Sequence, residues 1–313
     1  MNHIPALPKK LKKNAKIGIF SPSGFIQDDS HLQSAVTYFQ NKNHEVVISK
    51  HARSKWKYFS ASDSDRLNDF NELLKDDSID LMMASRGGYG WSRFLHKLDF
   101  PAIKKSNKIF VGFSDFTLFN MAVLQKNKQI TFHGPMACAD FKGDSISSFT
   151  ETGFWKLLTS SSLTHAPVLC AHPYSSQTVS GTIWGGCLSL LVHLLGTPYF
   201  PKIENGILFI EDVNEQPYHI ERMLFQLFHA GVLQKQQLIL LGQFNNCEPT
   251  SLSNAPYTMN DVLDTFRNIL NILILTDFPF GHVRDKITIP YGGKATVSIK
   301  KESYTVKFSE YNS

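Results

Sequence analysis

Lys108-Ile-Phe-Val-Gly-Phe-Ser114-Asp115-Phe-Thr117 decides how this chain is read. A short apolar run, Ile109–Gly112, is too brief for a helix and carries no polar alternation, which predicts a strand buried on both faces. Helical spacing begins at once behind it, over Thr117–Leu124. The same alternation extends back toward the N-terminus. Strands are predicted at Lys16–Phe20, Glu45–Ile48 and Ile79–Ala84, with helices at His31–Asn41 and Asp63–Leu74, where Leu67, Phe70 and Leu74 share one face. Strand, helix, strand, helix predicts a parallel sheet with helices on its faces. In such sheets ligands sit beyond the carboxyl ends of the strands, so the loops at Ser21, Arg86 and Ser114 are expected along one rim.

Downstream, the pattern dissolves into Ser, Thr, His and Pro between Thr159 and Ser180, and a linker is placed there. A second unit follows, with helices expected at Leu188–Leu195, Ile220–Phe228 and Val262–Asn271. Its strands are expected at Ile207–Ile210 and Leu238–Leu241, with a closing hairpin over Ala295–Phe308. The expected division is residues 1–160, a linker over 161–180, and residues 181–313.

At 313 residues the chain suits two domains of ordinary size, and 42% hydrophobic against 19% charged residues excludes a disordered or fibrous chain. The net charge of +5 is concentrated in Lys9, Lys10, Lys12, Lys13 and Lys16. This cluster reads as a solvated leader before the first strand, the competing reading being a basic arm for nucleic acid or membrane. A secretory signal is not expected, because Ile17-Gly-Ile-Phe20 is too short for its apolar region and no stretch approaches a membrane span. Cys138, Cys170, Cys187 and Cys247 are far apart and form no C-x-x-C pair. That spacing argues against a zinc site or a disulfide framework and fits a cytoplasmic protein.

Four segments could carry chemistry. Ser114 falls in the tight turn between a buried strand and a helix, a geometry that projects the hydroxyl over the sheet edge. Asp115 behind it would offer a backbone N–H at a helix start. The competing reading makes Ser114 or Asp115 a helix cap, and the G-x-S-x-G spacing is absent. Arg86-Gly-Gly-Tyr-Gly90 follows a strand, where glycines let backbone N–H groups approach a ligand. It reads as a phosphate loop, as a second oxyanion donor, or as a plain turn. Glu211 ends an apolar strand and could accept from a histidine; the competing reading has it solvated or paired with Arg222. His282, in a loop after Ile272–Leu275, has a side chain suited to proton transfer near neutral pH.

Taken together, Arg86-Gly-Gly-Tyr-Gly90, Gly112-Phe-Ser-Asp115, His133-Gly-Pro135, Gly196-Thr-Pro198, Glu211-Asp212 with Glu215, and Gly281-His282 resemble the LD-carboxypeptidase family in residue type and order. The resemblance runs from about Lys16 to about Lys300 and includes Pro201–Ile207 and Glu221–Leu224. It implies an N-terminal α/β domain, a smaller β-rich C-terminal domain, and a site in the cleft between them. By the same resemblance Ser114 is the nucleophile, His282 the general base and acid, Glu211 its carboxylate partner, and the N–H groups of Gly88 and Asp115 the oxyanion hole. The implied reaction releases the terminal D-alanine from cytosolic murein tetrapeptides, with no metal or organic cofactor, in a homodimer. Arg86 is the candidate for the substrate carboxylate; the competing reading has it pack against the strand ends. Two departures from the family pattern are Phe113, where close relatives carry histidine or tyrosine, and Cys187, where asparagine is more usual.

Two further readings compete. One is the branch of the same family that cleaves peptide-nucleotide antibiotics. The other is a ligand-binding protein that kept the scaffold without the chemistry.

Overall fold

The computed structural model describes residues 6–143, 146–170, 173–249 and 256–313. Its first sheet begins with β1 (Lys16–Phe20), β2 (Glu45–Ile48), β3 (Leu81–Ala84), β4 (Ile109–Gly112) and β5 (Thr131–His133). All five run parallel in the order β2-β1-β3-β4-β5. The strands β1, β3 and β4 are almost wholly buried, as their unalternating apolar runs require. Between them lie α1 (Asp29–Asn41), α2 (Asp63–Lys75), α3 (Phe100–Ser106) and α4 (Thr117–Asn127). Helices α2, α3 and α4 pack in a row, while α1 packs against the short α5 (Ala137–Asp140). Helix starts are set locally: Asp28, Ser62 and Asp99 each accept a backbone N–H of the first turn.

After α6 (Ser148–Thr159) the chain enters a second sheet. The stretch expected as a linker contains β6 (Ser162–Thr164), β7 (Val168–Leu169) and the beginning of β8 (Gln177–Cys187). Residues 171 and 172 of that stretch lie outside the described residues. The serines and threonines there belong to strand edges, where polar residues face solvent, so a composition typical of loops proves compatible with strand. Helix α7 (Leu188–Leu194) follows, then β9 (Ile207–Val213), α8 (Pro217–His229), β10 (Leu238–Asn245), α9 (Met259–Ile269) and β11 (Leu273–Leu275). The chain ends with β12 (Ile289–Tyr291), β13 (Lys294–Ile299) and β14 (Ser303–Ser309). The sheet order is β11-β10-β9-β8-β13-β14-β6, with β7 also on β14. Strand β8 joins two halves: Gln177–Thr182 pairs antiparallel with β13, and Ile183–Cys187 pairs parallel with β9.

Strand β12 lies between β11 and β13 in the chain but belongs to the first sheet, where it pairs antiparallel with β5, so Ile289 lies opposite His133 at that sheet's edge. The two sheets are therefore tied by the chain immediately behind His282. The N-terminal segment is held as well. Its lysines at 9, 10, 12 and 13 face solvent, as expected of a solvated leader, but Leu11 and Ala15 are buried. The Leu11 N–H donates to Leu158 O at 2.9 Å. No helix among the described residues is long and apolar enough to cross a membrane.

Candidate active site

Ser114 sits directly behind β4 with a backbone φ of +60°, a left-handed conformation that a β-carbon disfavours. Neither Ser114 nor Asp115 caps α4, whose start has no side-chain cap hydrogen bond. The strain serves placement: the turn lifts the hydroxyl off the sheet, where it meets the His282 ring, Oγ to Nε2 at 3.0 Å. The other ring nitrogen, Nδ1, lies 2.8 Å from Glu211 Oε2. Glu211 is fully buried within β9, which runs two residues beyond it to Val213. An ionised carboxylate only accepts, so Nδ1 carries the ring proton and Nε2 is left as an acceptor for the serine hydroxyl. Alternation along β9 turns Asp212 to the opposite face, where its carboxylate accepts from the N–H groups of Ser189 and Val213. Burial pushes the Asp212 carboxyl up to about 6.

The remaining oxygen of Glu211 accepts from the thiol of Cys187, Sγ to Oε1 at 2.8 Å. The register explains this contact, since Cys187 pairs with Glu211 across β8 and β9. Burial, and then the neighbouring carboxylate, hold the thiol well above its usual range, so it stays an S–H donor. Glu211 thus pairs with His282 and Cys187 rather than with Arg222. Sequence singled out Cys187 as a departure from the family pattern, but its contact with Glu211 was not foreseen, because strand register is a property of the folded sheet.

The glycine loop behind β3 closes over the serine. A β-carbon on Gly87 would lie 2.8 Å from both Cβ and Oγ of Ser114, and Gly88 has φ +109°. Gly87→Ala is therefore expected to displace the hydroxyl and lower kcat/KM by about 100-fold or more, since a misplacement of about 1 Å can cost that much. Steady-state kinetics beside a thermal melt would check it, and a loss under fivefold in a folded variant would count against the placement. Asp115 is buried and accepts at Oδ2 from Ser23 Oγ (2.6 Å) and the Trp91 N–H (3.1 Å). Its carboxylate clamps the glycine loop against the serine turn, a role that sequence reading missed. Burial raises that carboxyl to about 6, offset in part by those same hydrogen bonds. Arg86, half-buried, donates to Phe25 O at 2.8 Å and so braces the loop behind β1.

His282 stands in the loop between β11 and β12, and that loop is fastened to the first unit. Ser147 Oγ donates to Asp285 (2.6 Å), Thr150 Oγ1 to Arg284 O (2.9 Å), and Lys286 forms an ion pair with Asp140. The Phe113 ring stands edge-on to His282, with centroids 5.1 Å apart. A cleft of about 400 Å³ opens beside the imidazole, lined by Phe113, Asp140, Lys142, Arg284 and Lys286 among others. Behind Phe113, His133 is fully buried, with Nδ1 at 2.9 Å from the Asn120 amide. Burial, and then the His282 charge, push its imidazole down to about 3. Because the folded value lies below the unfolded one, the stability this residue contributes is present above the unfolded range and is lost as pH falls. His133→Gln is expected to move acid unfolding to lower pH, followed by circular dichroism. An unchanged midpoint would refute this account.

A strained serine, an imidazole within its reach and a buried carboxylate behind the ring form the geometry of nucleophilic hydrolases, here on a two-sheet α/β scaffold. Comparison with known proteins gives the family. Residues 17–134 match the family model of the LD-carboxypeptidase N-terminal domain, and residues 180–297 match that of the C-terminal domain. The chain belongs to the LD-carboxypeptidase family. It is 31% identical, over 96% of its length and 94% of the relative's, to the probable murein peptide carboxypeptidase of Bacillus subtilis. It is 28% identical to the microcin C7 self-immunity protein MccF of Escherichia coli, over 96% of each chain. Among solved structures, the muramoyltetrapeptide carboxypeptidase of Oxalobacter formigenes superposes with a TM-score of 0.88 at 37% identity, covering 96% of this chain and all of that one.

Proposed function

We propose that the protein is a serine carboxypeptidase that hydrolyses the L–D peptide bond before the terminal D-alanine of murein tetrapeptides. The observation that carries this reading is the continuous hydrogen-bonded chain Ser114–His282–Glu211, with links of 3.0 and 2.8 Å. As Oγ attacks the carbonyl carbon, Nε2 takes its proton. Glu211, dry and already oriented, stabilises the imidazolium. The oxyanion is received by the N–H groups of Asp115 and Gly88, each such donor supplying about 3–4 kcal/mol. The imidazolium then protonates the leaving amine of D-alanine, and water delivered by the same base hydrolyses the acyl-enzyme. Phe113 and the cleft walls limit solvent around the ring. Arg86 keeps N–H groups beyond the one given to Phe25, and these are proposed for the substrate's terminal carboxylate.

Murein recycling as the setting rests on the names of the relatives. A cytoplasmic location rests on four free cysteines, which suit a reducing compartment. A homodimer is proposed by resemblance, and sedimentation would test it. The decisive experiment is incubation with a defined tetrapeptide followed by mass spectrometry. Loss of one alanine supports the reading, and an intact tetrapeptide defeats it. The likeness to MccF favours a second reading, cleavage of an aminoacyl-nucleotide analogue; hydrolysis of that analogue beside an untouched tetrapeptide would decide for it.

A further inference from the structure

Cys187, Glu211 and His282 lie on β8, on β9 and in the loop before β12, and their donor atoms come within 4.8 Å of one another. Thiolate, carboxylate and imidazole are the ligand types of tetrahedral zinc, at distances of about 2.0–2.3 Å. Those lengths imply ligand atoms about 3.5 Å apart at a tetrahedral centre. The observed separations, 2.8 Å for Sγ to Oε1 and 2.8 Å for Nδ1 to the other carboxylate oxygen, Oε2, leave those two edges to open by less than about 1 Å, and the sulfur and the imidazole lie within 4.8 Å of each other. Cys187 and Glu211 are buried, and of the three only His282, with 21% of its side chain exposed, lines the cleft, so an ion and a fourth, water ligand would have to come in past the ring. Sequence spacing argued against a zinc site because the four cysteines are far apart and form no C-x-x-C pair. The fold assembles the donors all the same.

We propose that this cluster is an inhibitory site for thiophilic divalent cations, zinc above all, built into the carboxylate end of the triad. The inhibition rests on the serine-hydrolase reading, whereas the binding does not. On binding, the thiol proton leaves to solvent and a metal–sulfur bond forms. The metal takes the Nδ1 lone pair, and the ring proton moves to Nε2. The ion's two positive charges then face one thiolate and one carboxylate. With its proton on Nε2, the imidazole donates toward Ser114 instead of accepting from it, and the general base is disabled without displacement of the serine. Magnesium and calcium, which select oxygen ligands, lack a suitable set here.

The test uses the intact protein. Zinc chloride is titrated against tetrapeptide hydrolysis, and cobalt(II) binding is followed by absorption. One cobalt per chain is expected at this site, with a thiolate-to-cobalt charge-transfer band that disappears in Cys187→Ala. Zinc inhibition is expected to be reversed by a chelator, to be absent with magnesium, and to need at least tenfold more zinc in Cys187→Ala and Cys187→Ser, each measured relative to its own zinc-free rate. A band that persists in Cys187→Ala places the metal on another cysteine and overturns the proposal. Equal zinc sensitivity in all three proteins overturns it too. If the tetrapeptide is not cleaved at all, the cobalt band still tests the site, so failure of the functional reading is told apart from failure of the metal site.

Discussion

Ser114→Ala is expected to lower kcat on a murein tetrapeptide by about four to six orders of magnitude, the range seen when a triad nucleophile is removed. The loss follows from geometry: the hydroxyl is the atom that Nε2 reaches at 3.0 Å. Stability should hardly change. Serine already bears the cost of φ +60°, and alanine bears the same one. Ser114→Gly removes both the nucleophile and the strain, so its melting temperature is expected to rise while turnover disappears, a gain of about 1 kcal/mol. Release of D-alanine at an ordinary rate by either variant, measured by mass spectrometry on verified protein, would defeat the nucleophile assignment.

Glu211→Gln is expected to cost about 10⁴-fold in kcat, the effect of the corresponding amide in a familiar triad. In this protein Cys187 decides which way the amide turns. Its thiol donates to the position of Oε1, so the carbonyl oxygen of the new side chain settles there and the NH2 group faces His282. An NH2 at that place requires a lone pair on Nδ1. The proton is forced to Nε2, and the ring no longer accepts from Ser114. Volume and packing are conserved, so the melting temperature should stay near that of the parent. Kinetics within tenfold of the parent would show that Glu211 does not set the tautomer.

Much of the first sheet was legible in sequence because β1, β3 and β4 are buried on both faces and read as uninterrupted apolar runs. Helices α1, α2 and α4 were legible from spacing. Strand β5 has three residues and β12 has three, too few for any periodicity to register. The second sheet was harder. Strand β8 crosses from a solvent-facing half to a buried half, and only its last five residues are buried, so no single pattern covers it. Its Gly185 looks like a strand breaker, yet a β-carbon there would sit 1.8 Å from Phe209 O; the glycine is what lets β8 and β9 approach.

The candidate site was legible in a different way. Ser114, Glu211 and His282 were named from motifs in a fixed order. Seen singly, the serine read more readily as part of a helix cap, and the glutamate as a solvated acid or a partner for Arg222. Sequence alone determined the residue types, the turn that carries the serine, and the family, since local backbone preference and motif order are written along the chain. Only the tertiary structure decided that an imidazole 168 positions from the serine reaches it. It also decided that Asp115 clamps the glycine loop and that a cysteine on the neighbouring strand holds the far oxygen of Glu211. Those contacts depend on the register between strands and on β12 crossing into the first sheet, and a distance between parts far apart in the chain is fixed by packing rather than by the pattern of any one segment.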